Sequence, residues 1–120
     1  MADYLPKFKP GQAVTFKASA AVTGGRLVVV TGDRTVGEAG ADANAVGVAG
    51  FDVLTGEDVT VFTRAGGVQQ LTASGAIAAG AKVISAVGGK IATVGAGTNP
   101  IGTALAAASA DLDVIDVLFN

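Results

Sequence analysis

From Gly11 onward the chain consists of short apolar and β-branched runs separated by glycine-containing turns. Gln12–Lys17 alternates Ala13, Thr15 and Lys17 with Val14 and Phe16, the period of two expected of a half-buried strand. Leu27–Thr31 is a β-branched run after the turn Thr23-Gly24-Gly25, and Gly32-Asp33 marks a tight turn before Arg34–Gly37. Ala45–Ala49 and Asp58–Arg64 read as the next strands, followed by Val68–Thr72, Lys82–Ala86, Lys90–Val94, Ile101–Leu105 and Leu112–Phe119. Turn signals return about every 8–12 residues, the spacing of a barrel or sandwich. Ala73–Ala81 and Ala104–Ala110 are alanine-rich enough for a short helical turn each, with Gly75 and Gly80 opposing a longer helix in the first. The pattern predicts a mainly β fold, a compact barrel or sandwich-like domain with at most short helical turns.

The order of strands repeats. Shifting the numbering by 55 places Asn44, Gly47 and Ala49 on Asn99, Gly102 and Ala104, and Asp58-Val59 on Asp113-Val114. Further back it places Gly11 on Gly66, Ala18-Ser19 on Ala73-Ser74, Ala21 on Ala76, Gly25 on Gly80, Val28 on Val83 and Gly40-Ala41 on Gly95-Ala96. These are 13 identities over 55 positions, where a chain this rich in Ala, Gly and Val gives about 6 by chance. Phe16/Leu71, Val22/Ile77, Val29/Ile84 and Val36/Ile91 add conservative pairs. The chain therefore reads as an N-terminal arm, 1–10, followed by one β-rich domain, 11–120, made of two tandem copies, 11–65 and 66–120. In the last strand Ile115, Val117 and Phe119 share one face and Val114, Asp116 and Leu118 the other. Apolar residues on both faces suit a strand covered by the core and by a neighbour. The shift of 55 sets Val61 on Asp116, so equivalent copies would bury in one what they expose in the other.

The arm has its own logic. Pro6 and Pro10 oppose a helix or a central strand and keep the segment extended. Tyr4, Leu5 and Phe8 are large apolar side chains with no local core to enter, and Lys7 and Lys9 alternate with them. They are the contact candidates of the chain: three apolar anchors for another polypeptide, and two ammonium groups at the rim. A plain disordered terminus is the competing reading.

Composition narrows the function. At 120 residues there is room for one domain, and two copies of this length bury enough surface only if they pack together. Half the residues are hydrophobic, but chiefly Ala and Val, with no Trp, one Tyr and five Phe. Such a core buries little area per residue and gains from contacts with other copies or partners. A net charge of −2, with nothing more basic than Lys7 and Lys9 in a row, speaks against nucleic-acid binding. No apolar run reaches the length of a membrane span, and the N-terminus lacks an apolar signal core. Synthesis in a cytoplasm is expected.

Catalytic and ligand-binding chemistry finds few candidates. The chain has no His and no Cys, and no Ser in a nucleophile elbow. No catalytic, cofactor-binding or metal-ligating residue is assigned, and no enzyme activity is expected. Gly75–Lys82 looks like a phosphate-binding loop, but its lysine comes one position late and Val83 stands where a hydroxyl must hold magnesium. Its counterpart Gly24-Gly25-Arg26-Leu27 makes it a turn before a strand. Asp111, Asp113 and Asp116 fall short of a calcium site and suit the charged entrance of an edge strand.

The segments VTGGRLVVV, AVGVAGFDVLTGEDVTVFT and ASGAIAAGAKVI, then GGKIATVGAGTNPIGTALAAASADLDVIDVLFN, resemble the small Gly/Ala-rich capsid decoration (cement) proteins of tailed bacteriophages. The most telling part is AIAAGAKV followed by GGKI and NPIGTAL, with an acidic final strand. The resemblance covers nearly all of the chain after the arm. It implies a β-rich domain on the outer surface of a capsid, trimeric, at three-fold or quasi-three-fold positions. There it would bridge and stabilise major capsid protein subunits, without cofactor, nucleic acid or membrane as partner. The alternative is another structural β module of a virion or cell surface, such as a tail or fibre component. A small enzyme or ligand-binding barrel stands third.

Overall fold

β-Branched runs between glycine turns give ten strands in the computed structural model, which describes residues 4, 5, 7–9, 11–64 and 67–120. They are β1 (Val14–Ala18), β2 (Leu27–Gly32), β3 (Thr35–Glu38), β4 (Gly47–Ala49), β5 (Asp58–Thr63), β6 (Val68–Thr72), β7 (Lys82–Ala86), β8 (Lys90–Thr93), β9 (Gly102–Ala104) and β10 (Val114–Phe119). Each corresponds to a predicted strand, and the fold is mainly β. The alanine-rich stretches Ala73–Ala81 and Ala104–Ala110 are not helical. Ile77 and Ala108 form an antiparallel bridge between them, each N–H donating to the other's carbonyl at 2.9 Å. Alanine's helix preference is worth less than about 1 kcal/mol per residue and gives way to a paired backbone. Among the described residues, the single 3-10 turn is Val87–Gly89.

β1 to β5 close into a barrel in the order β1-β3-β2-β4-β5, with β5 returning to β1. Every pairing is antiparallel except β1 with β3. β6 to β10 follow the same circuit as a five-stranded sheet, β6-β10-β9-β7-β8. Where β1 and β3 pair through Ala18 and Val36, β6 and β8 meet in one parallel bridge, Ala73 with Ile91. The duplication extends to single hydrogen bonds. Val46 N–H donates to Val28 as Ile101 does to Val83, and Gly25 to Ala49 as Gly80 does to Ala104. Gly47 and Gly102 show why one identity persists: a Cβ on either would run into the carbonyl oxygen of Phe62 or Leu118.

The shift of 55 does not hold to the end. It fits through Val53 and Ala108, whose bridges to Val22 and Ile77 correspond. Beyond Ser109 the equivalence becomes 56: Glu57 N–H donates to Leu54 as Asp113 does to Ala110, and Gly56 to Ala18 as Leu112 does to Ala73. One residue has been added in the second copy, at Ser109. Val61 therefore corresponds to Val117, not Asp116, and both are fully buried. The identities Asp58/Asp113 and Val59/Val114 are coincidences of composition, since Glu57 is the counterpart of Asp113 and Ile115 that of Val59. The last strand buries Ile115, Val117 and Phe119 in the core, and its other face carries the exposed Val114, Asp116 and Leu118.

Two cores result. The barrel is filled by Val22, Val28, Val36, Val53, Val59 and Val61 with Ala18 and Ala49. The second core has isoleucine at three of the equivalent places, Ile77, Ile91 and Ile115, keeps valine at Val83 and Val117, and also takes in Leu27, Ala39, Ala45 and Val48 from the first copy. β2 and β4 are thus covered on both faces: Val28 and Ala49 face the barrel, and Leu27 and Val48 face the second copy. Burying Leu27 and Val48 contributes on the order of 1.5–3 kcal/mol each.

Polar contacts finish this joint. Ser85, fully buried, donates its hydroxyl to Gly40 O at 2.8 Å and accepts from Ala43 N–H at 2.8 Å. Arg26 Nη1 donates to Gly88 O at 2.9 Å, and Gly89 N–H to Ala39 O at 2.9 Å. Gly89 lies so close to Arg26-Leu27 that a Cβ there would stand 2.7 Å from Leu27 O.

Candidate interaction surfaces

Tyr4 and Leu5 are 76% and 86% exposed, and Lys7 and Lys9 are exposed as well. Pro6 and Pro10, on which the extended conformation was argued, lie outside the described residues. Phe8 is tied down. The Arg34 guanidinium lies 5.2 Å from its ring and 5.4 Å from that of Phe16 on β1, and Arg34 Nη2 also donates to Thr15 O. Such cation–π contacts are worth about 0.5–1 kcal/mol each at exposed sites. Lys9 and Gln12 close a turn, Lys9 N–H donating to Gln12 Oε1 at 2.6 Å and Gln12 N–H to Lys9 O at 3.1 Å. The arm's end is thereby aimed by Arg34, a residue that the sequence reading did not single out. Its clue was a long cation in the β2–β3 turn with two aromatics in reach.

A second surface lies on the outer face of the second copy. Lys82 on β7 stands opposite Thr103 on β9, Thr103 opposite Leu118 on β10, and Leu118 opposite Val68 on β6. Residues in register share a face, so the four form one row. Leu118 and Val68 are 45% and 52% exposed, and Lys82 is exposed. Lys82 and Thr103, with Pro100, Gly102 and Asn120, line an open pocket of about 200 Å³. The corresponding row on the first copy begins Leu27–Val48–Phe62. Its first two members are buried in the joint between copies, and Phe62 is partly exposed beside Gly50.

Several of the remaining charged residues have partners within the chain. Asp113 Oδ2 accepts from the N–H and hydroxyl of Ser109 at 2.8 and 2.9 Å and from Ala110 N–H at 3.1 Å. These bonds, the Ser109 hydroxyl first, hold its carboxyl below the usual carboxylate range. Glu57 does the equivalent for Leu54 N–H at 2.7 Å. Asp111 pairs with Lys90 at 3.1 Å, and Lys17 with Asp58 at 2.8 Å. Asp116 faces outward on β10. Asp42 reaches across the joint: its carboxylate accepts from Thr98 N–H at 3.0 Å and Asn99 N–H at 2.9 Å, which lowers its pKa, the Thr98 amide having the largest effect. In the phosphate-loop look-alike, Gly80 has φ +85° where Gly25 has +82°, the same turn twice.

The fold and its surfaces define a duplicated all-β module that presents apolar side chains and isolated charges to its surroundings. A family model described as phage cement protein matches residues 8–119, and the chain belongs to that family of structural phage proteins. No curated protein matches the chain. Among solved structures, the N base of the head fibre gp8.5 of bacteriophage phi29 is similar, with a TM-score of 0.72 and 19% identity. The similarity covers 91% of this chain and 93% of that one, and at such identity it speaks to the fold.

Proposed function

We propose that this protein binds the outer surface of a phage capsid as a homotrimer, at three-fold or quasi-three-fold positions, bridging and stabilising major capsid protein subunits. Membership of the phage cement family over residues 8–119 is the observation that carries the reading. Residues 11–120 act as one domain, and the arm, 1–10, is its contact element. Tyr4, Leu5 and Phe8 supply apolar anchors, and Lys7 and Lys9 sit at the rim, where they govern on-rate and salt dependence more than final affinity. Neither core takes in any of the arm's described residues, which supports this division. Three copies on one lattice position multiply a modest affinity per contact.

The test compares full-length protein with a variant lacking residues 2–9 on particles stripped of the protein. The variant keeps its β circular dichroism and loses occupancy at least about tenfold at matched concentration. Equal occupancy would make the arm a passive tail, and loss of folding would place it in the core. A second reading is the base of a head-bound fibre, which the fold likeness to the phi29 fibre base favours. It differs in predicting further fibre density above the module in images of the particle.

A further inference from the structure

We propose that Arg34 is the positioning residue of the arm: stacked on Phe8, it latches the arm to the barrel and fixes the direction in which Tyr4 and Leu5 leave it. Its use in binding rests on the capsid-contact reading of the arm, whereas the latch is a property of the free protein.

The turn before β3 gives the first observation. Arg34 has φ +47°, a left-handed conformation that a residue with a Cβ adopts at a cost. Its counterpart just before β8 is Gly89, with φ +71°, the residue type that takes this conformation freely. Gly89 has a second reason to be glycine, its close approach to Leu27. At position 34 glycine would fill the turn with less strain, and a long cation held there points to a role for its side chain.

That side chain joins two parts of the molecule. Arg34 O accepts from Lys17 N–H at 2.8 Å, which sets the turn beside β1. The guanidinium donates to Thr15 O and lies 5.4 Å from the Phe16 ring, both on β1, and 5.2 Å from the Phe8 ring on the arm. A planar guanidinium can face two rings while its N–H groups donate in its own plane, which an ammonium cannot do. The Lys9–Gln12 turn fixes the chain between Phe8 and β1.

The second copy provides an internal comparison. There Thr63, Leu71 and Gly89 take the places of Phe8, Phe16 and Arg34, and Thr63 belongs to β5. The set of two aromatics and an arginine thus belongs to the copy that carries the arm. An arm held in one direction loses less freedom on docking than a free one.

The experiment uses trypsin on the free protein. Lys9 precedes Pro10 and resists cleavage, so Lys7–Phe8 is the arm's tryptic bond, and mass spectrometry identifies its product. Losing one exposed cation–π contact raises the open, cleavable population about two- to fivefold. Arg34→Gly should accelerate this cut by that factor and keep the β circular dichroism, since glycine suits the turn. Tyr4, the one tyrosine in a chain without tryptophan, should show lower fluorescence anisotropy in the same variant. Arg34→Lys should release the arm as well, because it keeps the charge without the planar group. A wild-type cutting rate in Arg34→Gly, or full rescue by lysine, would overturn the latch. New cuts within 11–120 would mean that Arg34 holds the barrel rather than the arm, and would overturn it too. On stripped particles Arg34→Gly should lower occupancy about two- to fivefold, and a released arm with unchanged occupancy would overturn the positioning role. If wild type does not bind the particles while the cut still accelerates, the capsid reading fails and the latch stands.

Discussion

Asp42 illustrates how much of this molecule rests on one side chain facing another segment. Its φ of +49° is unusual for a residue with a Cβ, and aspartate and asparagine tolerate it best. That conformation turns the carboxylate onto the Thr98 and Asn99 amides of the second copy. Because its folded pKa lies below the ordinary 3.8, the charged form is favoured by folding. The stabilisation is present above that ordinary value and lost as pH falls through the lower folded one. Asp42→Asn keeps the backbone conformation and one acceptor oxygen but loses the charge. Its melting temperature should fall below wild type between pH 5 and 8, and the gap should close as pH falls through the lowered folded pKa of Asp42. Thermal melts of both proteins across that range check it. A gap that persists unchanged into strong acid would mean the carboxylate's charge is not the cause.

At the scale of elements, the strands were legible because each carries its own short-range signal: β-branched residues at period two, and glycine where the turn demands it. The repeat was legible from glycines under backbone constraint, such as Gly47 and Gly102. The register of the last strand was not, since Ser109 adds one residue in a stretch where Asp and Val recur and produce false identities. Physically the addition is absorbed by the loop, where the Asp113 carboxylate collects the extra amide. Deleting Ser109 should therefore be tolerated, with Ala110 N–H still capped as Leu54 N–H is by Glu57. The expected cost is a fall in melting temperature of no more than about 5 °C. Circular dichroism melts would show it, and an unfolded product would refute the one-residue account. The helical expectations failed for the complementary reason: alanine's preference is local, and the Ile77–Ala108 bridge is made over 31 positions. In the arm, Tyr4 and Leu5 are exposed, as large apolar side chains without a local core would be, and their role as contacts belongs to the proposed function. The outward row Lys82–Thr103–Leu118–Val68 was not legible, because it exists only through register across four strands.

For the whole molecule, duplication explains both stability and exposure. One copy closes as a valine-filled barrel, and the other borrows Leu27, Ala39, Ala45 and Val48 to complete its core. Membership of the phage cement family associates the protein with a phage capsid, the setting in which the proposed function reads the exposed arm. The most direct measurement is a cryo-electron microscopy map of the decorated particle, at a resolution that traces strands. The account predicts three copies around each occupied three-fold or quasi-three-fold position on the outer surface, with Tyr4–Lys9 against shell protein. Density for this module on the tail, or single copies on the shell that do not touch it through the arm, would contradict it.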